Sequence, residues 1–311
     1  MIVLTRNGMA TLERSLQAVL AQECNWPFDV LVVDSESTDG SWELAGSLGV
    51  ARMRVRRTDF NHGATRNLAA TRVRGTHAVF LVQDAVPARP TWLRALVAAA
   101  ETPGAVASYS RQVPQPDASG VVRLYVGSAL PQPDAPVVQR LGAEQTWESL
   151  APAERFTLAT FRNNSSCIRR AVLLEHPFRP LPYGEDLEWG QRVVRAGMAL
   201  VYEPASTVYH SHDRSSWYEL KRAYADHVLA VQLFGYRVYP SARALAASWA
   251  RQVAALGRAA WREPISPAAR VGLALRAALA ASARHAGSWL GARAGAEAAP
   301  ARLDRILRRG V

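Results

Sequence analysis

The chain has 311 residues, 49% of them hydrophobic, and only two cysteines, Cys24 and Cys167. This is enough for one large domain, or one domain with an appendage; the two cysteines make no disulfide framework and suit a reducing compartment, and no run of about 18 uncharged apolar residues offers a membrane-spanning helix. The net charge of +11 is uneven: residues 214–311 hold 16 basic and five acidic side chains, so residues 1–213 are neutral overall and the basic character belongs to the C-terminal part.

Residues 1–6 predict a strand, with no basic or apolar leader before it. Leu12, Leu16, Val19 and Leu20 recur at helical spacing over residues 11–22. The unbroken apolar run at 28–33 predicts a second strand, buried on both faces. Ser37-Thr38-Asp39-Gly40 reads as a capping turn before a helix at 41–48. A short strand is expected at 52–56, a helix at 63–72, a third long strand at 78–82 and a helix at 90–100 with proline at its start. This β-α-β-α-β-α order predicts an α/β layer fold around a parallel sheet. Segments 114–120 and 129–136 read as loops. Strands are expected at 161–168, 198–202 and 206–210, and a helix at 185–196. From Trp217 onward the chain reads as helical and rich in Ala and Arg, broken at 235–240 and 264–267. The low-complexity tail from about residue 292 is expected to be disordered.

Polar groups stand at the ends of the apolar runs. Thr5, Arg6 and Asn7 follow the first, Asp34 ends the second, and Gln83-Asp84-Ala85 ends the third. In an open parallel sheet, ligands bind beyond the carboxyl ends of the strands, so these groups converge on one crevice. Asp34 is either a helix cap or an acceptor for a nucleobase N–H or a ribose hydroxyl; Asp39 fits the cap better, which leaves Asp34 for a ligand. Asp84 is a turn residue or one ligand of Mg²⁺ or Mn²⁺. His210 and His212 follow a later strand and offer imidazole ligands, which suit Mn²⁺ better than Mg²⁺. Glu185 and Asp186 open a helix, either as dipole-stabilising groups or as a general base. His62 and Arg66, within Asn61-His62-Gly63-Ala64-Thr65-Arg66-Asn67, are either an anion site at a helix start or part of a polar loop packed on the sheet edge.

In this order the pieces resemble the inverting glycosyltransferases of family 2. They are Val3-Leu4-Thr5-Arg6-Asn7, Val32-Val33-Asp34 through Gly40, Leu81-Val82-Gln83-Asp84-Ala85, Gly184-Glu185-Asp186 and Val208-Tyr209-His210. The resemblance covers roughly residues 1–235, and the stretch from Phe60 to Asn67 is most similar to bacterial rhamnosyltransferases. It implies a GT-A fold: a Rossmann-like, mostly parallel sheet with helices on both faces, plus a C-terminal helical extension. Residues 1–213 would be the catalytic domain, with a nucleotide-sugar half to about 110 and an acceptor half from 111, and residues 214–311 the helical region. Asp34, Thr5 and Asn7 would line the nucleoside pocket, with Gln83, His62 and Arg66 also on the donor side. Asp84 would be the metal-binding acid of an Asp-x-Asp element that here lacks its second acid. His210, with His212, would complete the Mg²⁺ or Mn²⁺ site. Asp186 would be the base, with Glu185 or Trp189 touching the acceptor. The implied reaction carries L-rhamnose from dTDP-L-rhamnose, or a sugar from a UDP-sugar, to a lipid-linked or cell-surface glycan.

Other readings were weighed. A sugar nucleotidyltransferase needs a glycine-rich loop with a basic residue near the first strand, and residues 5–15 hold only Gly8. A non-catalytic sugar-nucleotide or glycan-binding protein of the same fold is favoured by the missing second acid and opposed by Asp34, Asp186 and His210. A nucleic-acid partner is set aside, because the basic segment interleaves no aromatic stacking platforms. Trp217, Leu220, Tyr224, Val228 and Val231 form a helical stripe that packs on the catalytic domain or on another subunit. The basic region, with Trp261 and Trp289, alternatively contacts an anionic membrane surface. The expected location is cytoplasmic, with peripheral contact at the inner face of the cell membrane.

Overall fold

The computed structural model describes residues 1–129, 132–297, 304, 306 and 307. In chain order the elements are β1 (Ile2–Thr5), α1 (Met9–Leu20), β2 (Leu31–Asp34), α2 (Ser41–Ser47), β3 (Ala51–Arg54), α3 (His62–Arg72), β4 (His77–Val82), β5 (Val86–Pro87), α4 (Trp92–Ala100) and β6 (Ala105–Val113). Then follow α5 (Gly120–Ala129), β7 (Val137–Gln139), α6 (Pro152–Ala159), β8 (Ser165–Arg169), α7 (Arg170–Glu175), α8 (Glu185–Arg195), β9 (Ala199–Tyr209), α9 (Ser216–Phe234), α10 (Ala242–Arg262) and α11 (Pro267–Glu297). The chain divides into two compact units: residues 1–113, 132–149 and 157–210 form the first, and 114–131, 150–156 and 211–311 the second.

The first unit is built on one sheet of order β3-β2-β1-β4-β8-β6-β9-β5, with β7 also paired to β9. Strands β1 and β2 are buried at every position, as continuous apolar runs require. The strands β3, β2, β1 and β4 run parallel. Past β4 the expected parallel order gives way to a mixed sheet. Strand β8 is antiparallel to both β4 and β6, while β6 and β9 are parallel. Strand direction depends on how distant segments pair, and a single strand's residue pattern does not carry it.

Three further features differ from the expectations. The segments at 198–202 and 206–210 are one strand, β9, with a register shift against β6 between Ser110 and Arg111. Strand β6 was not foreseen, because Ala-Val-Ala-Ser-Tyr-Ser lacks both a bulky run and an alternation. Its buried hydroxyls are satisfied inside the core: Ser110 lies 2.6 Å from Ser165 Oγ and 2.9 Å from Ser206 Oγ, and the Trp92 indole N–H donates to Ser110 Oγ at 3.1 Å. Helices α5, between the two segments read as loops, and α6, in a stretch given no element, are not in the sequence reading.

The second unit is helical. The Tyr224–Val228 stripe of α9 is buried, with Leu220 packed beside it, as its spacing suggests; Trp217 at the start of that stripe remains exposed. Helices α9 and α11 approach closely along Gly287, Gly291 and Gly295, spaced one turn apart. A Cβ at Gly291 would stand 2.2 Å from the Tyr224 carbonyl oxygen, and one at Gly287 2.1 Å from that of Leu220. Helix α11 runs to Glu297, and most of the tail expected to be disordered lies outside the described residues.

Gly291→Val must push α9 from α11. It should lower the melting temperature by several degrees, for a cost of about 1–3 kcal/mol. Gly257→Ala in α10, where a Cβ meets nothing within 4 Å, should raise it slightly, by about 0.5–1 kcal/mol of helix propensity. Equal melting of the two variants in thermal denaturation would contradict the packing.

Candidate active site

Register sets the first three strand ends side by side. Thr5 pairs with Asp34 across β1 and β2, and Leu4 pairs with Val82 across β1 and β4, so Gln83 follows beside Thr5. The Gln83 side chain ties the ends together: its Oε1 accepts the Thr5 hydroxyl at 2.8 Å and the Arg6 amide at 2.7 Å. Asn7, at φ 46°, accepts the Thr38 amide at 2.9 Å and so joins the β1–α1 and β2–α2 loops. Asp39 takes the capping role, accepting the amides of Met9 and Ser41 at 2.9 and 3.0 Å.

Asp34 is fully buried. One carboxylate oxygen accepts the Ser37 amide at 3.1 Å, and Arg54 approaches the same oxygen at 4.0 Å. The other, Oδ1, is buried with no hydrogen-bond partner. A buried carboxylate oxygen without a donor is costly, and a ligand N–H or hydroxyl would satisfy it.

Asp84 and His210 are 126 positions apart in the sequence, yet β5 pairs antiparallel with β9, Val86 opposite Tyr209, and so draws the two together. His210 Nε2 lies 3.5 Å from Asp84 Oδ1. The other ring nitrogen, Nδ1, is clamped by Gln112 Oε1 and Asn164 Nδ2, each at 3.1 Å. The tautomer sets the role of Nε2: with Nδ1 accepting from Asn164, Nε2 carries the proton and faces Asp84 as a donor, and with Nδ1 donating to Gln112, Nε2 offers a lone pair to a metal ion. His212 follows two residues on, and one ligand atom from each of Asp84, His210 and His212 lies within 4.8 Å of the others. One carboxylate and two imidazoles form a donor set able to hold a divalent cation, better suited to Mn²⁺ than to Mg²⁺.

Helix α8 opens at Gly184, φ 73°, with Glu185 and Asp186 in its first turn. Asp186 Oδ2 accepts the Asn163 amide at 3.3 Å and Oδ1 that of Leu187 at 2.9 Å, and the residue is only partly buried. Burial of its carboxylate, with the Glu185 charge beside it, pushes its pKa up to about 6, against the pull of its amide bonds and of Arg66. A carboxylate so placed takes up a proton near neutrality more readily than an ordinary aspartate.

Arg66 and Trp189 are not where the sequence suggests. Arg66 is 3% exposed, and its guanidinium donates to Glu185 Oε1 at 2.8 Å and to the backbone oxygens of His62 and Asn163. It is occupied as a partner of Glu185 rather than free for a phosphate. Glu185 is itself buried and spent on this pair, and so does not face an acceptor. Trp189 is fully buried; its indole donates to the His176 carbonyl and packs against Phe161 and Phe178, so it is core. His62 is exposed at the first position of α3 and meets Phe60 edge-on at 4.9 Å.

The rest of that motif holds the backbone that leads into α8. Asn61 caps Gly63 and Ala64 and donates to the Leu181 carbonyl at 2.8 Å. Asn67 makes a two-way pair with the backbone of Phe178, at 2.8 and 3.0 Å. Gly63 lets α3 approach Arg179, whose carbonyl oxygen would lie 2.5 Å from a Cβ. Sequence reading missed Asn163, Asn164 and Gln112. The signal present was two adjacent asparagines just before the buried strand β8.

The sequence profile described as "Glycosyl transferase family 2" matches residues 1–164. The chain belongs to this family. It is 28% identical over 228 residues to the O-antigen chain rhamnosyltransferase RfbN of Salmonella typhimurium, covering 71% of this chain and 69% of that one. It is 25% identical over 207 residues to the O-antigen chain rhamnosyltransferase WbaN of Salmonella anatum, covering 65% of this chain and 62% of the relative. Among solved structures, it is similar to mannosyltransferase PcManGT of Pyrobaculum calidifontis in complex with GDP-Man and Mn²⁺: TM-score 0.55, 18% identity, 94% of this chain and 84% of that one. It also matches residues 1–349 of TarS of S. aureus in complex with UDP-GlcNAc: TM-score 0.51, 15% identity, 92% and 89% covered. The fold is therefore GT-A, followed by a C-terminal helical region.

Two predictions follow from this geometry. Asp186→Asn should cut turnover by roughly 10²–10⁴-fold, while wild-type kcat/KM should fall as pH drops through about 6, where Asp186 gains its proton. The folded pKa lies above the unfolded one, so ionising Asp186 costs stability as pH rises between them and stability is greatest below both. The Asn variant should thus melt no lower than wild type at neutral pH; a lower melting point would mark Asp186 as structural. Arg66→Met strands buried Glu185 and should cost on the order of 3–5 kcal/mol, read as a fall in denaturation midpoint. Unchanged stability would mean the pair is not what holds α8.

Proposed function

We propose that the chain is an inverting glycosyltransferase that uses a nucleotide sugar and carries L-rhamnose from dTDP-L-rhamnose to a hydroxyl of a cell-surface or lipid-linked glycan. The observation that carries the reaction class is Asp186, a carboxylate of raised pKa on a residue that is only partly buried, in a family 2 glycosyltransferase. Rhamnose is favoured by the two Salmonella relatives, both O-antigen chain rhamnosyltransferases. The location read with it is cytoplasmic, with peripheral contact at the membrane that holds the acceptor. No helix among the described residues is long and apolar enough to cross a membrane.

Each residue has a chemical task in this reading. Asp34 Oδ1 accepts a hydrogen bond from the nucleoside, meeting its unsatisfied acceptor. Thr5 and Asn7 shape the same pocket, and Gln83 holds the strand ends in register. Asp186 removes the proton from the acceptor hydroxyl as that oxygen attacks the anomeric carbon. The bond to the nucleoside diphosphate breaks on the opposite face, so the configuration inverts with no covalent enzyme intermediate. Asp84, His210 and His212 would hold the divalent cation, Mn²⁺ before Mg²⁺, as PcManGT was crystallised with Mn²⁺. When bound, the cation offsets the negative charge that grows on the diphosphate. Arg66 and Glu185 keep Asp186 in place.

A donor screen tests the reading. Hydrolysis and thermal shift are measured with dTDP-L-rhamnose, UDP-glucose, UDP-galactose and GDP-mannose, with and without Mn²⁺. The rhamnose donor should give the largest shift, and EDTA should suppress turnover until Mn²⁺ is restored. Preference for another donor would overturn the rhamnose reading. Full activity in EDTA and in His210→Ala would overturn the cation site.

A further inference from the structure

Within the second unit, α11 has two apolar faces where a packed helix needs one. The inner face is spent: Leu273, Ala277 and Ala281 are buried with Leu256 and Ala260 of α10 and Leu124 of α5. On another face Val271, Leu275 and Leu279 recur every four residues and are 48%, 67% and 62% exposed. Leu275 and Leu279 are the most exposed large apolar side chains among the described residues. Trp261 and Ile265, at the α10–α11 connection, are exposed as well.

The charge on these helices has one sign. Helix α11 carries Arg270, Arg276, Arg284 and Arg293 and no acid before Glu297, its last residue; α10 carries Arg243, Arg251, Arg258 and Arg262 and no acid at all. Arg243, Arg251, Arg258 and Arg262 fall on one exposed face of α10, and Arg276 and Arg293 are exposed on α11. A second copy seated on the stripe would bring arginines against arginines, which like-charge repulsion opposes. An apolar stripe among arginines complements a surface with an apolar interior and anionic headgroups.

We propose that the α10–α11 hairpin lies in the interface of an anionic lipid bilayer, with Leu275 and Leu279 among the acyl chains and the arginines paired with headgroup phosphates. The purpose of this contact, access to a lipid-linked acceptor, rests on the function proposed above.

The full chain is sedimented with vesicles of phosphatidylcholine, with or without phosphatidylglycerol, at low and high salt. Wild type should pellet with the anionic vesicles at low salt, stay in solution with pure phosphatidylcholine, and be released by high salt. Leu275→Gln combined with Leu279→Gln leaves every charge in place and should reduce the bound fraction by about tenfold, with its melting temperature unchanged. No binding to anionic vesicles, equal binding to neutral ones, or undiminished binding of the double variant would each overturn the proposal. A dimer in lipid-free solution that the double variant splits would assign the stripe to a subunit interface and overturn it too. Transfer to a soluble acceptor is measured on the same samples. Loss of vesicle binding with transfer intact defeats only the surface, and vesicle binding without transfer from any donor defeats only the enzymatic reading.

Discussion

A buried arginine governs the junction of α3 and α8 in the first unit. Arg66 is withdrawn from water, and burial lowers its pKa against the opposing pull of Glu185 and Asp186. Removing such a charge from solvent is tolerated only when it is paired and hydrogen-bonded. Glu185 and the carbonyls of His62 and Asn163 supply those partners. The pair joins α3 to α8 and leaves Asp186, the next residue, beside a charge it cannot neutralise. Burial at this helix start, with the Glu185 charge beside it, raises the basicity of Asp186, and Arg66 opposes that rise.

The polar residues around α3 serve that constraint. Asn61, Gly63 and Asn67 bind the backbone of residues 178–181, the segment that leads into Gly184 and Glu185. Asn163 touches both ends of the arrangement, with its carbonyl on Arg66 and its amide on Asp186, and Asn164 beside it reaches His210. A single dipeptide just before β8 thus links Asp186 to His210. Displacement of one is expected to be felt by the other.

The second unit is held by a different device. Its helices are rich in alanine and arginine, which form helix readily but offer little apolar volume. Close approach compensates for that: the glycines at 287, 291 and 295 bring α11 onto the backbone of α9. Small clusters such as Leu124, Leu256 and Leu273 supply the rest.

Read alone, the sequence determined the alternation of strands and helices through residue 100, the family, and the two breaks between the C-terminal helices. Those features are local. Apolar runs such as Ile2-Val3-Leu4 declare a buried strand, and Gly235 with Pro240 stops a helix wherever it lies. The sequence also singled out Asp34, Asp84, Asp186 and His210, because each stands at the end of an apolar run or the start of a helix and in that order they match the family's motifs. It left the partners of Arg66 and the surroundings of Trp189 undecided. A guanidinium fits a phosphate as well as a carboxylate, and an indole fits a sugar as well as a core; only Glu185, 119 positions away from Arg66, and the fully closed surroundings of Trp189 distinguish them. Strand direction beyond β4, the serine-bonded β6 and the meeting of Asp84 with His210 are likewise tertiary. Each depends on pairings between segments far apart in the chain, whose free energy exists only once both are folded.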